Sequence, residues 1–509
     1  MAKTILDLPS ELIASIVTYL EDRDVFATRS AAKVLERASF SHFGKRFFRK
    51  KGYMLTTPSL NVLQGVAAHP ELRKWPQHVW FNPDCFTFIH PDCAPDPEET
   101  PEAGHPESLV DLLSPADRKM YHAYEACMTD HVSLIAKTAA KLQSILREAF
   151  RQLPNLKIIG MRRSEDHSPW GWRALQDAVG QDPRVLGPIP SGPMYLLSTP
   201  TRLFVALINA VAASGVTLRR FYTDAIELDN IRPDLLPQHT LDKACSPIWY
   251  LEVNVMRGWL NTRHHADYIT PGHPKWQPGA GLTRLLRACS SLKELGLQIF
   301  PDRQSVSHRN ISPRDRFLDA WPYQSFARLM HALPAPRLDR VKLEKLVTAP
   351  AHLLALLHPS QTSLTSLKLR DVRLVSADPA DPAPPRPWEP LFAFLSEHCP
   401  HLTCLLLHHL LYAHGGVSFV QDIQPAPLPP AADDDALTAQ PADLSPAAGW
   451  HTTSPHFTDY ENITVHVQGR AAVRARLAEL PAHHWYQKPV FTYAMDDTVW
   501  HTDTSEEEW

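Results

Sequence analysis

The feature that most constrains this chain is a short template that keeps returning, L-x-x-[LVF]-x-[LIV]. It reads LPNLKI from Leu153, IWYLEV from Ile248, LKELGL from Leu292, LDRVKL from Leu338, LTSLKL from Leu364 and LTCLLL from Leu402, with a weaker copy, LRRFYT, from Leu218. Alternating apolar positions predict strands with one apolar face. Helical patterns precede several copies: TRLLRACSS before Leu292, SFARLMHALPA before Leu338, HLLALLHPSQTS before Leu364 and LFAFLSEHCP before Leu402. One strand and one helix cannot cover each other's apolar faces. Stacked copies can, with strands lining one side and helices the other. An ordinary α/β domain with a parallel sheet would carry the same elements, but six copies of one template favour stacking.

The template is similar to the leucine-rich repeat, L-x-x-L-x-L, although the Asn or Cys that usually follows is mostly missing and the spacing is irregular. The expected fold class is therefore α/β, with an N-terminal helical module followed by an irregular leucine-rich-repeat-like αβ solenoid. The module spans residues 1–50. Residues 51–130 form a linker and the start of the solenoid, including a strand at HVWFNP and an acidic, Pro-rich exposed insertion at Ala94–Lys119. The solenoid runs over 131–420, and its first helix extends from His131 to Leu153, with Ile135, Leu142, Ile145, Leu146, Phe150 and Leu153 on one face. Residues 421–450 are a disordered low-complexity insertion. Residues 451–509 cap the last repeat with a strand (ENITVHV), a helix (QGRAAVRARLAELP) and an aromatic strand-like end.

Composition narrows the function classes. Proline is high, with 47 residues in 509, and glycine is low at 19, which leaves little material for phosphate-cradling loops. A formal net charge of −4 gives no electrostatic case for nucleic acid or an anionic membrane. The interleaved basic run Lys45–Lys51 reads as a solvated face. The seven cysteines, Cys85, Cys93, Cys127, Cys245, Cys289, Cys399 and Cys404, are scattered and include no C-x-x-C, which predicts free thiols in a reducing compartment. No uninterrupted apolar core of signal-peptide type opens the chain, and the longest apolar run, Leu203–Val216, is too short to span a bilayer. The expected location is cytoplasmic or nuclear, with no membrane partner.

No catalytic constellation is visible: G-x-x-x-x-G-K-[ST], G-x-S-x-G, H-E-x-x-H and G-x-G-x-x-G are all missing. The chain reads as a non-enzyme without cofactor. Cys399, His401, Cys404, His408, His409 and His414 crowd together, but they straddle a repeat strand, which would scatter them to both faces; no metal is expected. His264 and His265 read as a solvated loop. Trp170 and Trp172, on an insertion, suit either an interface or a fold back onto the body.

The function lies at the start of the chain. LPSELIASIVTYLEDRDV begins with Pro9 in the first turn of a helix and Glu11 beside it, both favoured there. Leu12, Ile13, Ile16, Val17 and Leu20 follow at helical spacing, and a second helix carries Val25, Phe26, Val34 and Leu35. A third short pattern, FSHFGKRFF, comes next. That stripe is too wide for so short a helix to bury internally, so Leu8, Pro9, Leu12 and Ile16 are surplus to an internal core and need another surface.

The segment resembles the F-box, whose pattern it matches at Leu8, Pro9, Glu11, Leu12, Ile16, Tyr19, Leu20, Asp24 and Val25. AAKVLERASF departs from the usual second half. The resemblance implies docking through Leu8, Pro9, Glu11, Leu12, Ile16, Tyr19, Leu20 and Val25 onto a Skp-family adaptor and, through it, a cullin. The repeats would then present a protein substrate to the ubiquitin ligase. The layout is similar to F-box proteins with degenerate leucine-rich repeats in filamentous fungi. A repeat scaffold without the ligase link is the alternative, and an enzyme on an α/β solenoid is the third.

Overall fold

Three short helices open the chain, and alternating strands and helices follow. The computed structural model describes residues 4–83, 114–135, 139–162, 168–180, 199–223, 226–228, 231, 233–256, 280–300, 337–376, 386–412, 415–419, 464–480 and 484–487. The expected features at 94–113, 257–279, 325–335 and 421–450 lie outside these residues. The chain divides into two compact units, Met1–Asp224 with Pro233–Ala244, and Ala225–Arg232 with Cys245–Asp503, besides the last six residues. Both are α/β, with strands that are mostly parallel.

The first unit starts with α1 (Ser10–Val17), α2 (Asp22–Ala31) and α3 (Lys33–Phe48). Two details differ from the sequence reading. Pro9 precedes α1 as its cap residue, with an extended backbone, instead of lying within the first turn. Val34 and Leu35 belong to the third helix, because Ala32 is extended (φ −159°, ψ 144°) and breaks the helical run. No Gly or Pro marks that break, so the sequence hides it.

Four parallel strands follow in chain order: β1 (Lys50–Met54), β2 (His78–Asn82), β3 (Ile158–Met161) and β4 (Arg220–Tyr222). The intervening helices are α4 (Thr57–Ala68), α5 (Pro115–Ile135), α6 (Ala140–Gln152), α7 (Trp172–Val179) and α8 (Thr199–Ser214). Helix α6 packs between α4 and α8. The core lies between helices and strands: Phe81 meets Phe150, and Phe204 meets Phe221. The helix read from His131 falls on two elements, α5 ending at Ile135 and α6 beginning at Ala140, just after Ala139 in a left-handed conformation (φ 51°). Residues 115–119, read as part of an exposed insertion, begin α5.

Register corrects the first repeat copy. Ile159 pairs with Phe221, the fourth position of the Leu218 copy, so the copy starts at Leu156, not Leu153. Ile159 and Met161 are buried, while Ile158 is half-buried. On the opposite face, Gly52, Trp80, Gly160 and Tyr222 share one row across four strands. The two aromatic rings lie over the glycines: a Cβ on Gly160 would sit within 1.8 Å of the Tyr222 ring, and one on Gly52 within 2.2 Å of Trp80. Strand β1 was not anticipated, since Lys-Lys-Gly carries no strand signal.

Helix α9 (Gln238–Cys245) comes before the strands of the second unit. There β5 (Tyr250–Met256), β6 (Glu294–Phe300), β7 (Arg340–Glu344), β9 (Ser366–Arg370) and β11 (Cys404–His408) run parallel, with β14 (Thr464–Gln468) antiparallel to β11. Helices α10 (Ala280–Ala288), α11 (Pro350–Leu357), α12 (Glu389–His398) and α13 (Arg470–Glu479) alternate with them. The template positions Leu251, Leu295, Val341, Leu367 and Leu405 form one continuous buried row, and Val253, Leu297, Leu343, Leu369 and Leu407 form the next. The predicted strand and helix of the C-terminal segment are β14 and α13. Of the aromatic end only β15 (His484–Gln487) is described.

The last three copies agree beyond the template. Each strand is followed directly by a left-handed residue, Lys345 (φ 54°), Asp371 (φ 53°) or His409 (φ 50°), and then by a buried aliphatic, Leu346, Val372 or Leu410. A two-residue strand then follows: β8 (Val347–Thr348), β10 (Arg373–Leu374) and β12 (Leu411–Tyr412), stacked in parallel. Strand β13 (Gly415–Phe419) pairs antiparallel with β12 and with β15. The buried aliphatics stand where an Asn or Cys was missed in the sequence. Among the described residues, no helix is long and apolar enough to cross a membrane.

Candidate docking surface

Helix α1 has two apolar faces. Ile13 and Val17 turn inward and are 1% and 0% exposed, joining Val25 of α2 and Leu35 of α3 in a small core. Leu20, Ala32, Ala38, Phe43 and Phe47 pack around it. Leu12 and Ile16, each one position earlier, turn outward and are 52% and 39% exposed. Leu12 and Ile16 stand one helical turn apart on α1, and Leu8 just before the helix and Tyr19 just beyond it extend this exposed apolar stripe at either end. Tyr19 is 86% exposed.

This concentration is local. Among the described residues, nine large hydrophobics are exposed: Ile5, Leu6, Leu8, Leu12, Ile16, Tyr19, Phe26, Val34 and Trp170. Of these, only Trp170 lies beyond the first 48 residues. Scattered exposed apolar side chains are ordinary, whereas a cluster on one small element marks an interaction site. Of the residues singled out from the sequence, Leu8, Pro9, Glu11, Leu12, Ile16 and Tyr19 are exposed, Leu20 is half-buried and Val25 is wholly buried. Val25 therefore supports the bundle from inside and offers no contact surface. Phe26 and Val34 were not singled out, because nothing in their spacing separates them from core residues.

Polar contacts hold the bundle together. Thr4 and Asp7 close the entry: the Thr4 backbone N–H and hydroxyl both donate to Asp7 Oδ2, at 2.7 and 3.1 Å, and these bonds lower the Asp7 pKa. Arg29 of α2 reaches α3, donating to the Glu36 carbonyl at 3.1 Å, with its guanidinium 3.9 Å from the Phe43 ring centre. Phe26 meets the Phe43 ring edge-on at 5.6 Å and the Phe47 ring at 4.9 Å. Arg46 of α3 donates to the Leu20 carbonyl at 2.7 Å and pairs with Asp22 at 2.6 Å.

The other sequence candidates take structural places. In the basic run, Arg46 is paired with Asp22, Arg49 donates to Gln77 at 3.1 Å, and Lys51 lies 4.7 Å from the Trp170 ring centre. Trp172 folds back into a buried cluster with Met54, Tyr124 and Leu175. Trp170 bridges to Tyr53, and its carbonyl accepts a 2.8 Å bond from Ser59. Among the described residues, no group of three or more His, Cys, Asp or Glu side chains is arranged to hold a metal ion. Cys399 is buried, which pushes its thiol up to about 12. His409 instead shares a 2.6 Å hydrogen bond with Asp371, the matching corner of the neighbouring copy. His264, His265 and His414 lie outside the described residues.

On the strand face opposite the leucines, Glu252, Gly296, Lys342 and Lys368 share a row. Gly296 leaves room for Lys342 to reach Glu252 at 3.3 Å, and Glu344 stands 3.4 Å away. Burial opposes the Lys342 charge, but the two carboxylates outweigh it and raise its pKa. Tyr250 donates to Glu252 at 2.7 Å. Lys342 thus stands between two carboxylates, those of Glu252 and Glu344. In comparison with known proteins, no family model matches the chain and no curated protein matches it.

Proposed function

We propose that the chain is an F-box protein, the substrate receptor of a Skp adaptor–cullin ubiquitin ligase. In this reading the opening helices dock on the adaptor, and the α/β units form an irregular leucine-rich-repeat-like solenoid that presents a protein target. The receptor contributes no chemistry of its own; it raises the effective concentration of the target near the transfer machinery. The observation that carries the reading is the outward apolar stripe of Leu12 and Ile16 on α1, flanked by Leu8 and Tyr19, on a helix whose other face already fills a core. Full burial of a large apolar side chain is worth about 1.5–3 kcal/mol. Covering these four partly exposed anchors would therefore contribute on the order of 4 kcal/mol to docking.

The test is co-purification of the full chain with a recombinant Skp-family adaptor, beside the double variant Leu8→Ala/Pro9→Ala. The wild type should bind and the variant should not, while both keep the same thermal midpoint. A folded wild type that fails to bind would overturn the ligase reading and leave a repeat scaffold. Truncation to Met54 is a poorer control, since it removes most of β1.

A further inference from the structure

We infer that Arg46 is the positioning residue of the docking surface, a clasp that fixes the angle of α1 and hence of its outward stripe. The inference rests on the docking reading above. Helix α1 has only eight residues, too few to be stable alone. Its apolar grip comes from Ile13 and Val17, with Leu20 just beyond its end. Arg46 adds a polar grip at one point. One guanidinium nitrogen, Nη1, donates to the Leu20 carbonyl at 2.7 Å, just past the end of α1. The other, Nη2, meets the Asp22 carboxylate at 2.6 Å, at the first residue of α2. The same guanidinium lies 5.7 Å from the Phe47 ring centre.

The chemistry suits each end. A cation is favoured where a helix leaves carbonyls unpaired, and a carboxylate is favoured where the next helix leaves N–H groups unpaired. A planar guanidinium can satisfy both acceptors at once, whereas an ammonium acts as a point charge. The anchors Ile16 and Tyr19 lie within one turn of Leu20, so freedom at that junction moves them directly. Arg46 is itself an exposed residue, and its place in the clasp rests on its two contacts at the junction.

The experiment compares Arg46→Ala, Arg46→Lys and Asp22→Asn with Lys45→Ala, which removes the same charge from an exposed side chain one residue away. Two readouts are taken on the full chain: amide exchange at residues 13–20 without partner, and affinity for the Skp-family adaptor. Arg46→Ala should speed exchange at 13–20, leave exchange in β5–β11 unchanged, and weaken affinity on the order of tenfold. Arg46→Lys and Asp22→Asn should fall between that variant and the wild type, and Lys45→Ala should match the wild type. Wild-type exchange at 13–20 in Arg46→Ala overturns the inference, and so does faster exchange with unchanged affinity. If Arg46→Ala does not fold, Arg46→Lys and Asp22→Asn carry the same comparison. Failure of the wild type to bind would sink the docking reading instead, while exchange would still decide whether the clasp exists.

Discussion

Two adjacent residues of α1 should behave in opposite ways when truncated. Ile13 is 1% exposed and packs against Val25 and Leu35; Leu12 is 52% exposed. Removing the buried Ile13 side chain loses its transfer free energy and leaves a cavity, so Ile13→Ala should cost about 3 kcal/mol. Leu12 keeps half its surface in water, and Leu12→Ala should cost less than about 1 kcal/mol. The order reverses for docking. A central apolar anchor is worth about 1–2 kcal/mol on truncation, so Leu12→Ala should weaken adaptor binding by about tenfold. The assay is amide exchange in α2 and α3, away from both substitutions, which reads the opening free energy of the bundle. It is paired with an adaptor-binding titration of the same variants. Equal destabilisation by the two substitutions would refute the two-faced description of α1, because then both side chains would be core.

Two further outcomes follow from the first unit. Gly160→Ala places a Cβ in the Tyr222 ring, displacing it from its 2.9 Å contact with His78; a loss of about 1–3 kcal/mol in urea unfolding is expected, and an unchanged midpoint would contradict the close approach. Burial, with Lys50, Arg162 and Arg220 nearby, pushes the His78 pKa down to about 3. The folded state then holds His78 neutral while the unfolded chain takes up a proton below about 6.5, so this contribution is complete above that pH and is lost as pH falls toward about 3. His78→Gln should flatten the stability profile across that window, and a profile identical to wild type would exclude His78 as its source.

The repeat strands were legible because their apolar residues alternate. Leu292, Leu295 and Leu297, and likewise Leu364, Leu367 and Leu369, are buried as their spacing implies. The sequence misplaced the first copy by three residues because Leu153 and Leu156 are both buried leucines ahead of β3. Only strand pairing distinguishes them. The left-handed corners at Lys345, Asp371 and His409 were invisible, since no glycine marks them. A positive φ at a non-glycine residue is imposed by the stacked strands on either side, and local preference would oppose it.

The same division holds at the docking surface. Spacing alone established that α1 is apolar on more of its circumference than a two-turn helix can hide, and that some of its residues must find a second surface. Which ones was settled by tertiary packing. Leu12, Ile13, Ile16 and Val17 are chemically alike, and only the packing of Val25 of α2 and Leu35 of α3 against one side of α1 turns Ile13 and Val17 into core and leaves Leu12 and Ile16 facing water. Hydrophobicity fixes how much surface a helix must bury, but direction comes only from the neighbour that does the burying.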